Sequence, residues 1–172
     1  YGTYTVTSAN AKGHTETRVI DARHGQPLSL TGPNGFTTQW EYDAFWRQIR
    51  EIRADGTSTR TVYSRSSCSP NALYKVTTQT SGSMPVSVCF DRFGRELRRE
   101  TVVLNGNVAF QDTRYDALGR TVGVSRPYLV NTTPHWTEYQ YDALGRIWKE
   151  TSPDGGIVET TYNGLTTGVR RY

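Results

Sequence analysis

One six-residue segment occurs twice in this chain, and the repetition constrains the fold more than any single residue does. Residues 115–120 read Tyr-Asp-Ala-Leu-Gly-Arg, and the same six letters return unchanged, 26 residues later, at 141–146. Looser copies begin at Tyr42 and Phe90. Repetition at a fixed period of this length is the signature of a chain that uses one structural unit several times. The sequence therefore predicts a repeat array, and its function should follow from what an array builds.

A second pattern keeps step with the first. The pair Asp154-Gly155 begins eight residues after Arg146, and a like pair at 55–56 begins eight residues after Arg47. From the glycine of each pair, seven further residues lead to a tyrosine. Two turn signals at a constant interval indicate a hairpin that is closed at both ends.

Turn chemistry explains both signals. Asp-Ala-Leu-Gly is typical of a type I turn whose last residue is left-handed, because Asp142 can accept backbone N–H bonds and Gly145 tolerates a positive φ. Residues 146–152 then form the predicted outgoing strand, and residues 157–162 form the returning strand. We expect Tyr–Asp turns along one edge of the sheet and Asp–Gly turns along the other. The motif tyrosines should lie in register on one face.

The predicted fold class is all-β: a curved, open antiparallel sheet strip of tandem hairpins. Aromatic residues make up 12% of the chain and include 11 tyrosines, which suit a pleated, half-buried surface. Residues 45–52 are the segment that most opposes an all-β fold, because Phe45, Ile49 and Ile52 also fit a helical period. The interval from Arg47 to the next Asp-Gly pair favours a strand there.

The middle of the chain departs from the period. Ser64 stands where the motif has aspartate, and residues 72–80 and 86–90 read as strands that flank a longer turn. Residues 126–134 read as a loop. We expect residues 1–172 to form a single continuous array of repeats, cut from a longer polypeptide.

Charge and cysteine content exclude few functions. The net charge is +4, but 16 acids are interspersed with 20 bases, which favours pairs on neighbouring strands over a nucleic-acid surface. No segment approaches the ~20 apolar residues of a membrane helix. The two cysteines, Cys68 and Cys89, leave open whether they are bridged.

With these motifs the chain resembles the YD-repeat, or Rhs, family, which includes bacterial polymorphic toxins, components of insecticidal toxin complexes and animal teneurins. The resemblance covers essentially the whole chain. It is strongest at residues 115–120 and 141–162, and weakest at 63–84. It implies a β-strip that spirals into a hollow shell around an effector, in a secreted or cell-surface bacterial protein. The partners that it implies are further repeats of the same array and an enclosed effector domain.

Two departures limit what the resemblance implies. The chain holds roughly six or seven repeat units, too few to close a container alone. It also lacks the family's Pro-x-x-x-x-Asp-Pro-x-Gly stretch, so no self-cleaving aspartyl site can be assigned, and we expect no toxin domain after Tyr172.

We interpret the motif residues as turn formers rather than as a catalytic site, and expect no enzyme activity, cofactor or metal. They are Tyr42, Asp43, Asp91, Gly94, Arg95, Tyr115, Asp116, Gly119, Arg120, Tyr141, Asp142, Gly145, Arg146, Asp154 and Gly155. Acid pairs such as Glu41 with Asp43, or Glu138 with Asp142, lie beside turns. The three histidines have no metal-ligand spacing.

Binding is the alternative function. The four tryptophans (Trp40, Trp46, Trp136 and Trp148) could stack on sugars in a cell-surface adhesion module, although packing between neighbouring strands is favoured. Stacking of bases on an array of arginine and tyrosine is a further, less favoured possibility. Exposed end strands could also pair with those of a second copy.

Overall fold

The structure is a computed structural model that describes residues 2–65 and 68–172. Within these ranges it contains strands and turns and no helix, so none could cross a membrane. The strands are β1 (Thr3–Ala9), β2 (Thr15–Asp21), β3 (Pro27–Thr31), β4 (Thr37–Tyr42), β5 (Gln48–Ile52), β6 (Ser58–Arg65), β7 (Tyr74–Thr80), β8 (Val86–Phe90), β9 (Glu96–Val102), β10 (Val108–Tyr115), β11 (Thr121–Ser125), β12 (Tyr128–Leu129), β13 (Trp136–Tyr141), β14 (Ile147–Thr151), β15 (Ile157–Asn163) and β16 (Thr166–Arg171).

The chain forms two compact units. The first comprises residues 1–63 and 76–85, and the second comprises residues 64–75 and 86–172. In the first unit, strands β1 to β6 pair antiparallel in chain order. In the second, β8 to β11 and β13 to β16 do the same, while β12 pairs with β10. The predicted all-β, antiparallel and open fold is confirmed. A single continuous array of repeats over residues 1–172 stays a prediction.

The alternation of turns follows from this order. In an antiparallel meander successive turns fall on opposite edges, so the turns at 91–95, 116–120 and 142–146 share one edge of the second unit. The turns at 103–107 and 152–156 lie on the other edge. The first unit repeats the pattern. Motif residues far apart in sequence are thereby brought to one margin of each sheet.

Burial in these sheets is shallow. Among the described residues Cys89 is the one buried hydrophobic side chain, at 0% exposure, and most strand residues are half-buried. In the second unit Ser87, Cys89 and Ser125 are buried on the face that also carries Arg98 and Asp112. Because no single hairpin encloses an apolar core, each depends on contact with its neighbours.

Each hairpin that a Tyr–Asp turn closes contains a β-bulge. The pairing shifts register between Gln140 and Tyr141, so that Trp148 on the opposite strand is the extra residue. The extra residue lies two positions after the motif arginine, or after Gln26 in the turn at 21–26, and is apolar every time: Leu28, Ile49, Leu97, Val122 and Trp148. A bulge bends its strand and increases the local twist, so each copy of the motif changes the direction of the strand that follows it.

Residues 45–52, whose apolar residues also fit a helical period, end a turn and then form a strand. Residues 43–47 form a turn and Gln48–Ile52 form β5, so the helical alternative is wrong. The strands expected at 72–80 and 86–90 are present as β7 and β8. The loop expected at 126–134 is interrupted by the two-residue strand β12, which adds to β10 where β11 leaves it.

Candidate functional site

The motif aspartate organises its own turn. In the turn at 142–146, Asp142 Oδ1 accepts the backbone N–H groups of Leu144 and Arg146, both at 2.9 Å. Its Oδ2 accepts Arg146 Nε at 2.8 Å and pairs with Arg146 Nη2 at 2.7 Å. Gly145 closes the turn with a φ of 78°, which suits glycine because a Cβ would be strained there. Both carboxylate oxygens are therefore occupied within the turn.

The other motif copies share this arrangement. Asp43, Asp91 and Asp116 each accept two backbone N–H groups on Oδ1 and the Nε of the following motif arginine on Oδ2, at 2.7 Å. Gly94 and Gly119 are left-handed like Gly145. At the equivalent position of the first unit, Trp46 adopts a φ of 61°.

The motif arginine also reaches the next tyrosine of the array. The Cζ of Arg146 lies 4.0 Å from the ring centre of Tyr162, and the Tyr162 hydroxyl donates to the Ile147 carbonyl at 2.8 Å. We call this combination the Arg–Tyr contact: a guanidinium over a ring, and in most copies the ring's hydroxyl bonded to the residue after the arginine. It links one hairpin to the next, because Arg146 precedes β14 and Tyr162 lies on β15.

Three further copies of the ring contact are present. They join Arg47 to Tyr63, Arg95 to Tyr115 and Arg120 to Tyr141, with Cζ-to-centre distances of 4.1, 4.6 and 4.5 Å. The hydroxyls of Tyr115 and Tyr141 donate to the carbonyls of Glu96 and Thr121 at 3.0 and 2.6 Å. The sequence predicted tyrosines in register on one face. In the structure an arginine lies against each of these four tyrosine rings. The sixth motif position, arginine in every clear copy, was the available signal for this contact.

The electrostatics of the turns follow from these bonds. The backbone N–H of Arg146 has the largest effect on the pKa of Asp142 and lowers it; burial raises it, but the Arg146 guanidinium and the Leu144 N–H add to the lowering, so the pKa is lowered overall. For Asp43, Asp91 and Asp116, burial is the largest single influence and raises the pKa, but the bonds from the turn together outweigh it. The motif carboxylates are held ionised, and this is unsuited to general acid catalysis.

Residues 21–26 form a degenerate copy of the turn: Gln26 keeps the interval of eight residues to Asn34-Gly35, but Asp21 was not named as its aspartate. Asp21 accepts the backbone N–H of Arg23, and Arg23 also pairs with its carboxylate at 2.7 Å. The side-chain bond from Arg23 lowers the pKa of Asp21 to about 2. The loop is one residue longer than the motif, and Gln26 stands in the place of the arginine. The Tyr42 hydroxyl still donates to the Pro27 carbonyl at 2.8 Å.

The Asp–Gly turns share the backbone path but not the side-chain bonds. The Ser152 N–H donates to the Gly156 carbonyl and the Gly155 N–H to the Ser152 carbonyl, as in a Tyr–Asp turn. Gly155 has a φ of 87°. However, Asp154 accepts the Gly156 N–H at a long distance of 3.4 Å, lies 3.9 Å from Arg126, and has a side chain that is 69% exposed. In the turn at 53–57, Asp55 accepts the N–H and the hydroxyl of Thr57, at 2.9 and 2.7 Å, and so bonds within its own turn.

The remaining sequence candidates lie in separate places. Trp46 stacks on His24 at 3.4 Å, Arg114 lies 3.5 Å over the Trp136 ring, and Trp148 is 36% exposed. Glu41 pairs with Arg50 on the neighbouring strand at 3.3 Å. The glycan-binding alternative for the tryptophans stays a prediction.

A polar cluster in the second unit was not anticipated. Arg98 on β9 forms a bidentate salt bridge with Asp112 on β10, at 2.7 and 2.9 Å. The Tyr128 hydroxyl donates to the same carboxylate at 2.6 Å. The pKa of the Arg98 guanidinium is raised, and its hydrogen bond to Asp112 is the largest cause. Burial raises the pKa of Asp112, but Arg98 and Tyr128 lower it overall. The cluster anchors β12 to the sheet, and no local motif predicts it.

The cysteines are joined. Cys68 and Cys89 form a disulfide between the segment before β7 and strand β8. Glu100 lies near both sulfurs, but the two sulfurs are bonded to each other and do not make a metal site. Arg98 Nη1 donates to the Cys68 carbonyl at 3.0 Å, which ties the same segment to the polar cluster.

Comparison with known proteins gives a family match over part of the chain. Residues 21–63 match the model of the RHS Repeat family. This stretch runs from the aspartate of the degenerate turn to Tyr63, and contains the turn at 43–47 and its Arg–Tyr contact. A comparison with curated proteins found no match.

Solved structures of toxin complexes have a similar course of the chain. The crystal structure of TcdB2–TccC3 is 15% identical with a TM-score of 0.48, over 98% of this chain and 12% of that one. The Photorhabdus luminescens Tc holotoxin pore is 14% identical with a TM-score of 0.46, over 99% of this chain and 12% of that one. This chain therefore spans about an eighth of the length of the structures that it matches.

Proposed function

We propose that the chain is a non-enzymatic segment of an Rhs-type shell that encloses or presents an effector. The observation that carries the proposal is the internal use of the motif: aspartate holds the turn, arginine contacts the next tyrosine, and the tyrosine hydroxyl bonds back. These groups satisfy one another instead of facing a substrate. The match to the RHS Repeat family at residues 21–63 supports the same role.

The proposed partners are further repeats of the same polypeptide and the enclosed effector. Toxin-complex structures with a similar chain course are about eight times longer than this segment, so the remaining wall would come from neighbouring repeats. The proposed location is the bacterial surface or the extracellular medium, where the bond between Cys68 and Cys89 would persist.

Limited proteolysis of the polypeptide that carries these repeats tests the proposal. The effector region should resist protease while the repeats are folded, and should become cleavable when Gly119→Val and Gly145→Val together disrupt two turns. A matched variant, Ala117→Val with Ala143→Val, changes the same turns at positions without a positive φ and should preserve protection. Equal cleavage of the effector in all three proteins would contradict enclosure.

The edge strands suggest that segments can also pair with each other. Every residue of β1 and of β16 is exposed, and β1 carries no charged residue or proline. Such an edge offers unpaired N–H and C=O groups to another strand. We propose pairing of β1 with β1 of a second copy, which Thr5→Pro should abolish, because in the antiparallel register the Thr5 N–H points away from β2. Sedimentation that shows a monomer at all concentrations for the parent chain would contradict it.

A further inference from the structure

The repeat pattern is broken at one place in the second unit, and a cavity lies there. Ser64 replaces the motif aspartate after Tyr63, and a longer segment replaces the five-residue turn. Functional sites concentrate where a chain departs from its own structural rules. The segment at residues 69–73 and the neighbouring turn at 91–95 line a cavity of about 810 Å³. This is within the usual range for small-ligand sites.

The segment that forms one wall of the cavity is held in place. The Cys68–Cys89 disulfide fixes its beginning, and Arg98 donates to the Cys68 carbonyl at 3.0 Å. At its other end the Leu73 N–H donates to the Phe90 carbonyl at 2.7 Å. Attachment at both ends gives the cavity a defined shape before any ligand enters, which lowers the entropic cost of binding.

The lining combines apolar surface with guanidinium groups. Leu73, Phe93, Leu97 and Val122 supply apolar side chains. Three arginines line the cavity against one aspartate, and that carboxylate, Asp91, is already bonded to Arg95. This charge balance favours an anion with an apolar body.

Two of the cavity arginines, Arg92 and Arg114, stack on aromatic rings rather than on a carboxylate. Arg92 lies 4.6 Å over the Phe93 ring and Arg114 lies 3.5 Å over the Trp136 ring. Within residues 2–65 and 68–172, neither guanidinium forms an ion pair. Arginine recognises carboxylates through two parallel N–H bonds, and its stacked face leaves those N–H groups free to donate.

We propose that this cavity binds an apolar carboxylate, with Arg92 and Arg114 at the carboxylate and Leu73, Leu97 and Val122 around the apolar part. The same chemistry occurs in a free acyl acid and in a peptide that ends in an apolar residue. The wall segment at 69–73 stands where the array would have a regular Tyr–Asp turn, so the site belongs to the irregular part of the array. The proposal does not depend on a shell role.

Isothermal titration of the whole chain tests the site with four probes. They are octanoate, its neutral counterpart octanol, a short peptide with a free C-terminal leucine, and the same peptide as its C-terminal amide. Binding in the millimolar range or tighter is expected for at least one acid, about tenfold tighter than for its neutral counterpart, because charge-assisted hydrogen bonds are lost in the latter. Octanoate binding alone identifies a free acid, and peptide binding alone identifies a chain terminus.

Variants locate the binding. Arg92→Gln together with Arg114→Gln should weaken binding about tenfold, and Arg92→Gln alone, at an exposed turn position, should weaken it without affecting the fold. Arg60→Gln, an exposed arginine of the first unit, is the control and should leave binding unchanged. Circular dichroism and melting curves confirm folding. No binding of either acid, or equal binding to the Arg92 variants and the parent chain, would overturn the proposal.

Discussion

The regular turn at 142–146 and the irregular segment at 68–74 close successive strands by different means. In the regular turn one carboxylate satisfies two backbone N–H groups and an arginine that reaches the next hairpin. In the irregular segment no such carboxylate follows Tyr63, and a disulfide with two hydrogen bonds holds the chain instead. A repeat array can therefore lose its motif locally if a covalent link replaces it. The replacement segment lines a cavity, whereas in the turn at 142–146 both oxygens of the Asp142 carboxylate are bonded within the turn.

Removal of the disulfide should have the largest effect on this comparison. Cys68→Ser together with Cys89→Ser should lower the free energy of unfolding by about 2–4 kcal/mol, because the bridge constrains the unfolded chain and Cys89 is buried. Denaturant titration measures the change, and hydrogen exchange should place the lost protection in residues 68–74. Unchanged exchange in that segment would show that hydrogen bonds alone hold it.

A change of the turn glycine should have the next largest effect. Gly145→Val should lower the free energy of unfolding by about 1–2 kcal/mol, because a β-branched residue is strained at a φ of 78°. Ala143→Val in the same turn, at a position without a positive φ, is the control. Equal shifts in the melting temperature for the two variants would contradict the assigned turn geometry.

The two kinds of turn should respond differently to loss of their aspartates. Asp142→Ala should lower the melting temperature more than Asp154→Ala, because Asp142 accepts two backbone N–H groups and an arginine, whereas Asp154 accepts one long bond. Scanning calorimetry of both variants beside the parent chain provides the measurement. A larger loss for Asp154→Ala would reverse the ranking of the two edges.

Acid should weaken the motif edge selectively. The folded pKa of Asp21 is about 2, below its ordinary value, and those of Asp43, Asp91, Asp116 and Asp142 are also lowered. Their stabilising contribution is present above pH ~4 and is lost as the pH falls through the folded pKa values. Melting temperatures should therefore drop between about pH 4 and 2, and less steeply in Asp142→Asn than in the parent chain. Parallel curves would indicate that this aspartate does not titrate with folding.

Most of the fold could be predicted because its signals are local. Asp142 and Gly145 lie within one turn, and their residue types determine its backbone whatever the neighbouring strands do. The strand at Gln48–Ile52 could be assigned against a helical period because the interval between turn signals outweighed it. At the degenerate turn the interval from Gln26 to Asn34-Gly35 kept the period, but the extra loop residue hid the role of Asp21.

The contacts between hairpins could not be predicted in the same way. Arg98 and Asp112 meet through the register of β9 and β10, and Tyr128 joins them through the two-residue strand β12, which breaks the regular pairing. The Arg–Tyr contact depends on a bulge that shifts the strand after each turn. The sequence gives the residue types, but only the register brings them together.

The central claim is that the motif arginine couples one hairpin to the next through the following tyrosine. A double-mutant cycle of Arg120→Met and Tyr141→Leu measures this coupling directly in denaturant titrations. The expected interaction energy is about 0.5–1 kcal/mol for a partly exposed guanidinium over a ring, with the cycle of Arg120→Met and Tyr162→Leu near zero as the control. Equal interaction energies in the two cycles, or none in the first, would contradict the account.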